Sequence, residues 1–436
     1  MLVQLFRVVA GDSRNGILTE GAMDRRNFIH RSAFAGALAW TGALSKAHAS
    51  SEHVPKNVFD VAIIGAGVFG SWTAYFLKSA GQRVLLLDAY GPSNDRASSG
   101  GETRIIRMGY GPDDIYTRWA QRALPRWKEL FSRTGTPLFH RTGVLWICNP
   151  TDRYCLQMEK VLTETGVKFQ KLSRLDLRER YPQIAVDDEA IGIFEPESGV
   201  LMARRAVQAL VENAVQMGIE YRTAAAVSPA GSGRLDALQM RDGTSVSAGT
   251  YVFACGPWLP KLFPHLLGSR IIPTRQEVFF FGIPAGDLRY SPPNLPTWII
   301  LSDEYYGMPD LENRGFKIAY DAHGVTVDPD TVERVASTEG LASARAYIAR
   351  RFPGLKDAPV MESRVCQYEN TSNGEFLIDR HPDFSNVWLV GGGSGHGFKH
   401  GPSLGEYVAN RVLGKGVAEP RFSLETKQAI QRRAVY

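Results

Sequence analysis

Residues able to do chemistry fall in short, separated runs. Cys366, one of four cysteines among 436 residues, stands in Arg364-Val365-Cys366-Gln367-Tyr368. A lone thiol reads first as a small buried hydrophobe, and becomes a nucleophile only where its surroundings favour the thiolate. Cations stand in three other stretches. Arg104 and Arg107 flank two isoleucines, Lys317 follows the pair Tyr305-Tyr306, and His396 and Lys399 lie in a glycine-rich turn. Any one of them alone reads equally well as an ion-pair partner or a solvated side chain. Their joint placement beside glycine loops points to at least two that serve a bound group.

The elements that must position these groups begin at residue 59. The apolar run 59–64 reads as a buried parallel strand, followed by Gly65-Ala66-Gly67-Val68-Phe69-Gly70 and a helix over 69–79. Gly65 suits the tight turn, Gly67 lets a pyrophosphate approach the backbone, and Gly70 lets helix pack on strand. The helix start, with free N–H groups and a positive dipole end, faces the phosphates. A second strand, 83–87, ends in Asp88, at the spacing of an acid that binds ribose hydroxyls. The glycines alone are weak; with all five parts in register they predict a dinucleotide site. Its place ahead of hundreds of further residues favours FAD over NAD.

Helical patterns follow at 115–131, 153–165, 204–217 and 340–351, and strand-like runs at 143–148, 250–254, 277–281, 298–301 and 387–390. The apolar strand before Gly256-Pro257-Trp258 reads as a second passage at the nucleotide site, so the cofactor domain returns after an insertion. The expected fold is α/β, a Rossmann-like FAD-binding domain (56–145, 197–270, 372–420) interleaved with a discontinuous antiparallel-sheet substrate domain (146–196, 271–371). Gly395 and Gly397, with the glycines at 391–393, free the backbone for close approach to a planar ring.

A chain of 436 residues exceeds one ordinary core, and 44% hydrophobic with 22% charged residues is a globular balance. A net charge of +5 without a basic block argues against a nucleic-acid partner. Cys148, Cys155, Cys255 and Cys366 make no disulfide scaffold; Cys148 and Cys155 could pair if a hairpin brought them together, but free thiols are the expected state, and no cysteine–histidine spacing suggests a metal. Near the N-terminus, Met23 opens a segment with Arg25-Arg26, a weakly apolar run and Ala47-His48-Ala49. That plan is a signal peptide of the twin-arginine type, placing residues 1–49 in an extension and leader and the mature chain in the periplasm. The run is too short and too weakly apolar to span a membrane.

Seven blocks in order resemble the monomeric sarcosine oxidase and N-methyltryptophan oxidase family of FAD-dependent, D-amino-acid-oxidase-like enzymes. They are GAGVFG, ETRIIR, FEPESGVL, YYGMP, GFKIAYD, RVCQY and FLIDRHP with GGGSGHGFK. The resemblance implies an amine oxidase, probed by its own residues as follows. Cys366 matches the cysteine that carries the flavin as a thioether, with Arg364 and other cations favouring its thiolate. Arg107 and Lys399 match the pair that grips the substrate carboxylate, a role suited to a guanidinium fork and an ammonium. Arg104 matches the arginine held against the flavin, and Lys317 the lysine that assists dioxygen. Tyr306 and Tyr368 match active-site tyrosines. The backbone around Gly395, His396 and Gly397 matches the segment that bonds the flavin's pyrimidine edge.

The implied reaction takes a hydride equivalent from an N-substituted amino acid bound as the neutral amine, gives an imine that water hydrolyses, and reduces dioxygen to hydrogen peroxide. The expected partners are this small substrate, dioxygen and the twin-arginine machinery, and the expected state is a monomer. Two positions depart from the family pattern. Ser99-Gly100-Gly101 replaces a loop with a histidine, and Asp321 replaces a histidine four residues after Lys317. An acid there favours a substrate with a second cationic group, and the glycines admit a bulkier one. The rival readings are a flavin dehydrogenase that passes electrons to a quinone or cytochrome, a non-catalytic flavoprotein and an NAD dehydrogenase.

Overall fold

The computed structural model describes residues 59–429; the leader assigned to 1–49 lies outside the described residues. Two sheets dominate. The first has six strands in the order Leu377–Arg380, Val387–Gly391, Ala248–Phe253, Phe59–Ile64, Val84–Asp88, Glu220–Thr223. Five run parallel, and Leu377–Arg380 is an antiparallel edge. Its central strands are apolar on both faces because helices cover one side and a second apolar cluster the other. Helix Val68–Ser79 packs there beside Gly401–Val412, Asp114–Thr134 and Ala203–Gln216.

The second sheet has eight strands in the order Val360–Thr371, Ile271–Phe281, Phe316–Tyr320, Tyr305–Met308, Thr297–Ile300, Val144–Cys148, Ile191–Glu195, Gln170–Leu172. It is antiparallel, as expected, except where Thr297–Ile300 runs parallel to Val144–Cys148. The two strands come from distant parts of the chain, so no hairpin dictates their direction. Helix Thr338–Arg351 closes one face over Trp298, Phe316 and Phe352. A small sheet of Arg104–Ile106, Gly199–Leu201 and Phe139–His140 carries the first two site arginines' segment. The six-stranded sheet draws on residues 59–88, 220–253 and 377–391, and the eight-stranded one on 144–195 and 271–371.

The cysteine expectation fails at one pair. Cys148 and Cys155 form a disulfide across seven residues of sequence. Strand Val144–Cys148 ends in a turn whose Asp152 caps the helix Arg153–Glu164, accepting the N–H groups of Tyr154 and Cys155. That cap folds the first helical turn back on the strand end and brings the two Cα atoms to 6.7 Å. Cys255 and Cys366 are free. Among the described residues no helix is long and apolar enough to cross a membrane.

Closing so short a loop contributes about 2 kcal/mol on a chain-entropy basis. Peptide mapping of unreduced, denatured protein should therefore recover the Cys148 and Cys155 peptides joined, and Cys148→Ala/Cys155→Ala should unfold at lower denaturant. Separate, fully alkylated peptides would contradict the pairing.

Candidate active site

The glycine turn opens on a cavity of about 430 Å³. Gly65 has φ +111°, and a Cβ there would sit 2.2 Å from the Ala254 carbonyl oxygen. A Cβ on Gly70 would lie 1.9 Å from the Gly65 carbonyl oxygen, so these two glycines hold helix to strand. Gly67 differs: the nearest atom to a Cβ would be Ser99 Oγ at 3.6 Å, so its backbone borders open space at a helix start free of acidic residues. Asp88 braces the turn. Its Oδ2 accepts the Ala66 N–H at 2.8 Å, and its Oδ1 accepts those of Tyr90 and Gly91. Its pKa is raised, burial outweighing these three bonds.

Gly395, Gly397, Trp258, Cys366 and Glu369 form the far wall of this cavity. The Glu369 carboxylate is buried, one oxygen accepting the Gly393 N–H at 3.2 Å and the other without a partner. Burial raises its pKa to about 7. An open backbone at a helix start, an acid at the end of the second strand and an unpaired buried acceptor fit a dinucleotide bearing anionic and hydroxyl groups. Glu369 escaped the sequence reading because nothing in a strand's alternation marks one glutamate as facing a cavity.

Cys366 sits opposite Gln276 in the long ladder between Val360–Thr371 and Ile271–Phe281. Its sulfur accepts from Arg104 Nη2 at 3.1 Å, and the same guanidinium donates to the Ser98 and Thr103 carbonyls. Arg364 does not serve the thiol as expected; it pairs with Glu102 at 3.0 Å and with Glu362. Arg364 lies on the same strand face two residues away, but Glu102 and Glu362 draw its guanidinium off the sulfur. Lys317 donates to Thr103 Oγ1 at 2.9 Å and lies 5.9 Å from the Tyr306 ring. Burial first, then the Arg104 charge, push its pKa down to about 7. Lys317 borders a side cavity of about 270 Å³ shared with Arg104, Arg364 and Cys366.

A third, smaller space of about 80 Å³ is walled by Arg107, Lys399, Tyr306, Tyr368, Asp321 and Trp146. It shares Arg104, Cys366, Tyr368 and Gly395 with the nucleotide cavity. Arg107 is sandwiched between the rings of Tyr110 and Trp146, at 4.3 and 4.6 Å, and donates to the Gly109 carbonyl. Behind it Glu195 accepts the Met108 and Gly109 N–H groups, Trp146 Nε1 and Ser198 Oγ. Glu195 thus fixes both the aromatic cover and the segment carrying Arg107; the sequence reading missed it. Lys399 donates to Tyr110 Oη at 2.8 Å and to the His396 carbonyl at 2.9 Å. Burial, then Arg107, pull its pKa well down.

Tyr110 Oη lies 2.7 Å from His400 Nε2, and burial pushes the His400 pKa well below the usual range, leaving a neutral ring to accept the tyrosine proton. His396 turns its ring to Phe376 and to the Gly374 carbonyl at 2.9 Å; its backbone carbonyl serves Lys399. Asp321 Oδ1 accepts from Tyr368 Oη at 3.0 Å. Burial raises its pKa to about 6 despite that bond and the nearby Arg107 and Lys399 charges. Burial likewise raises that of Tyr306.

Residues 60–411 match the family model described as FAD dependent oxidoreductase. The chain belongs to this family. Monomeric sarcosine oxidase of Bacillus sp. (strain NS-129) is 32% identical over 388 residues, spanning 86% of this chain and 99% of the relative. N-methyl-L-tryptophan oxidase of Salmonella heidelberg (strain SL476) is 29% identical, spanning 84% and 97%. The crystal structure of L-proline dehydrogenase from P. horikoshii aligns with a TM-score of 0.73 at 18% identity, covering 86% of this chain and 99% of that one, and shares the fold. The protein is therefore an FAD-dependent oxidoreductase, and the glycine-turn cavity is where its residues fit the cofactor.

Two substitutions probe this geometry. Gly70→Ala should purify without flavin absorbance or fail to fold, since its Cβ has no room. Glu195→Gln should keep its flavin and raise KM for a carboxylate substrate about tenfold, the loss of one buried charged hydrogen-bond set; an unchanged KM would show that Arg107 is held without it.

Proposed function

We propose that the protein oxidises N-substituted α-amino acids and passes the electrons to dioxygen, with its FAD carried on Cys366 as a thioether. The observation that carries this reading is the pairing of Arg107 and Lys399 in a pocket that shares Cys366, Arg104 and Tyr368 with the nucleotide cavity. Two buried cations that, among the described residues, have no salt-bridge partner within 4 Å suit a substrate carboxylate, which would leave the adjacent carbon facing the shared wall. Bound FAD supplies the two-electron sink. Arg104 donates to the Cys366 sulfur and so sets a positive charge beside the atom that attachment would use. Lys317 holds a proton on the side cavity, where positive charge stabilises the negative charge dioxygen gains on reduction. This supports the oxidase over a dehydrogenase serving a quinone or cytochrome.

The strands 59–88, 220–253 and 377–391 are assigned to the cofactor domain, and 144–195 and 271–371 to the substrate domain. Export to the periplasm is proposed from Arg25-Arg26 and the cleavage-like Ala47-His48-Ala49. The Cys148–Cys155 disulfide is in keeping with an oxidising compartment.

An anaerobic panel of amines on the purified protein should bleach the flavin with N-methylated amino acids, and air should then yield one hydrogen peroxide per turnover; no bleaching by any amine would refute the reading. Acid precipitation should leave the flavin with wild-type protein and release it from Cys366→Ser. Reoxidation by dioxygen should slow as pH rises through about 7, where Lys317 loses its proton. Lys317→Met should be about 100-fold slower and lose that pH dependence.

A further inference from the structure

Three carboxylates line the pocket that holds Arg107 and Lys399. Glu277 is paired with Arg275 and bonded to Ser337, and Glu304 accepts from Tyr320, while Asp321 faces the charges of Arg107 and Lys399 and the reaction as proposed leaves it without a task. Asp321 follows strand Phe316–Tyr320, and its N–H donates to the Glu304 carbonyl at 2.8 Å, which fixes the backbone. Tyr368 occupies Oδ1. Among the described residues Asp321 has no salt-bridge partner within 4 Å. The side chain is half-buried because it borders the pocket. Arg107 and Lys399 together with Asp321 on one space of about 80 Å³ match a zwitterion, not merely an anion.

We infer that Asp321 is the counter-charge of the substrate ammonium and takes its proton, so that the amino acid binds as the zwitterion and is deprotonated in place. This deepens the proposed function and rests on it for the identity of the substrate. In the step an N–H bond breaks and an O–H bond forms on Asp321, and the electron pair stays on nitrogen, ready for oxidation. No electron is transferred. A buried ammonium–carboxylate pair favours this neutralisation, since two neutral groups cost less to hold away from water than two ions. The groups facing Asp321 set its titration. Arg107, Lys399 and Tyr368 favour the carboxylate; burial and Glu304 oppose it, and Asp321 in turn disfavours ionisation of Tyr306 and Tyr368. The balance leaves it ionised above about pH 6. A proton acceptor is thus present beside the two cations.

Acetate and glycine differ by the ammonium alone, and flavin absorbance reports the binding of each to the holoenzyme. Wild-type protein at pH 8 should bind glycine about tenfold tighter than acetate, and this ratio should fall towards one as pH drops through about 6. In Asp321→Asn the ratio should be near one at every pH, with acetate affinity within about threefold of wild type. A glycine preference that survives in Asp321→Asn, or is absent in wild type, overturns the inference. If 2,3-diaminopropionate gains over glycine in wild type and loses that gain in Asp321→Asn, Asp321 pairs with a second cation instead, which also overturns it. Should the asparagine variant fail to fold, Tyr368→Phe removes the bond that favours the carboxylate and should move the midpoint of the glycine preference to higher pH; an unmoved midpoint counts against the inference. Neither probe need be oxidised, so the ratio is read whether or not any amine bleaches the flavin, and the two readings fail separately. With an oxidisable N-methyl amino acid, wild-type kcat/KM should level off above about pH 7, while that of Asp321→Asn should keep rising with pH as free amine accumulates; matching profiles would refute the proton transfer.

Discussion

Four cations, Arg104, Arg107, Lys317 and Lys399, are withdrawn from bulk water around one site, and among the described residues none has a salt-bridge partner within 4 Å. Burying like charges is costly, and ordinary proteins relieve the cost with carboxylates. Here the groups in direct contact are neutral: the carbonyls of Ser98, Thr103, Gly109 and His396, the Thr103 and Tyr110 hydroxyls, the Cys366 sulfur and the aromatic faces over Arg107, with Asp321 and Glu195 acting only at longer range. Such partners hold a cation in place without cancelling its charge. The field stays available to an anionic ligand, and the depressed lysine pKa values express its cost.

The architecture follows from that requirement. Arg104 and Arg107 lie on and just beyond a short strand, Lys317 on the central part of the eight-stranded sheet, and Lys399 in the turn that follows Val387–Gly391. Each support is fixed elsewhere by deep packing. Trp127 donates to the Lys399 carbonyl at 3.1 Å and stacks on Phe398, while Trp146 is tied by Glu195. The pairing of Arg107 and Lys399 is thus assembled by tryptophans of the core, and rigidity at the site is inherited from cores on both sides of it.

Much of this was legible before any coordinates. The glycine turn, its strands and helix, and Asp88 are local in sequence, and local physics fixes them. Helices with a clear apolar stripe, such as Asp114–Thr134 and Ala203–Gln216, were found within a residue or three of their ends. What escaped was set by register between distant segments. Cys366 meets Arg104 across 262 residues, so the sequence neighbour Arg364 was the natural but wrong cation. Glu195 lay inside a recognised block without a role, and Glu369 and Tyr110 gave no periodic signal. The disulfide depended on a helix cap that folds one turn back, which spacing alone does not reveal.

Cys366 borders all three cavities at once. Its sulfur is a shared partition between the glycine-turn cavity, the space lined by Arg107 and Lys399, and the cavity lined by Lys317. A larger side chain there would crowd three spaces together, and a smaller one would join them. Position 366 is thus constrained from three sides at once, together with Arg104, which borders the same three spaces.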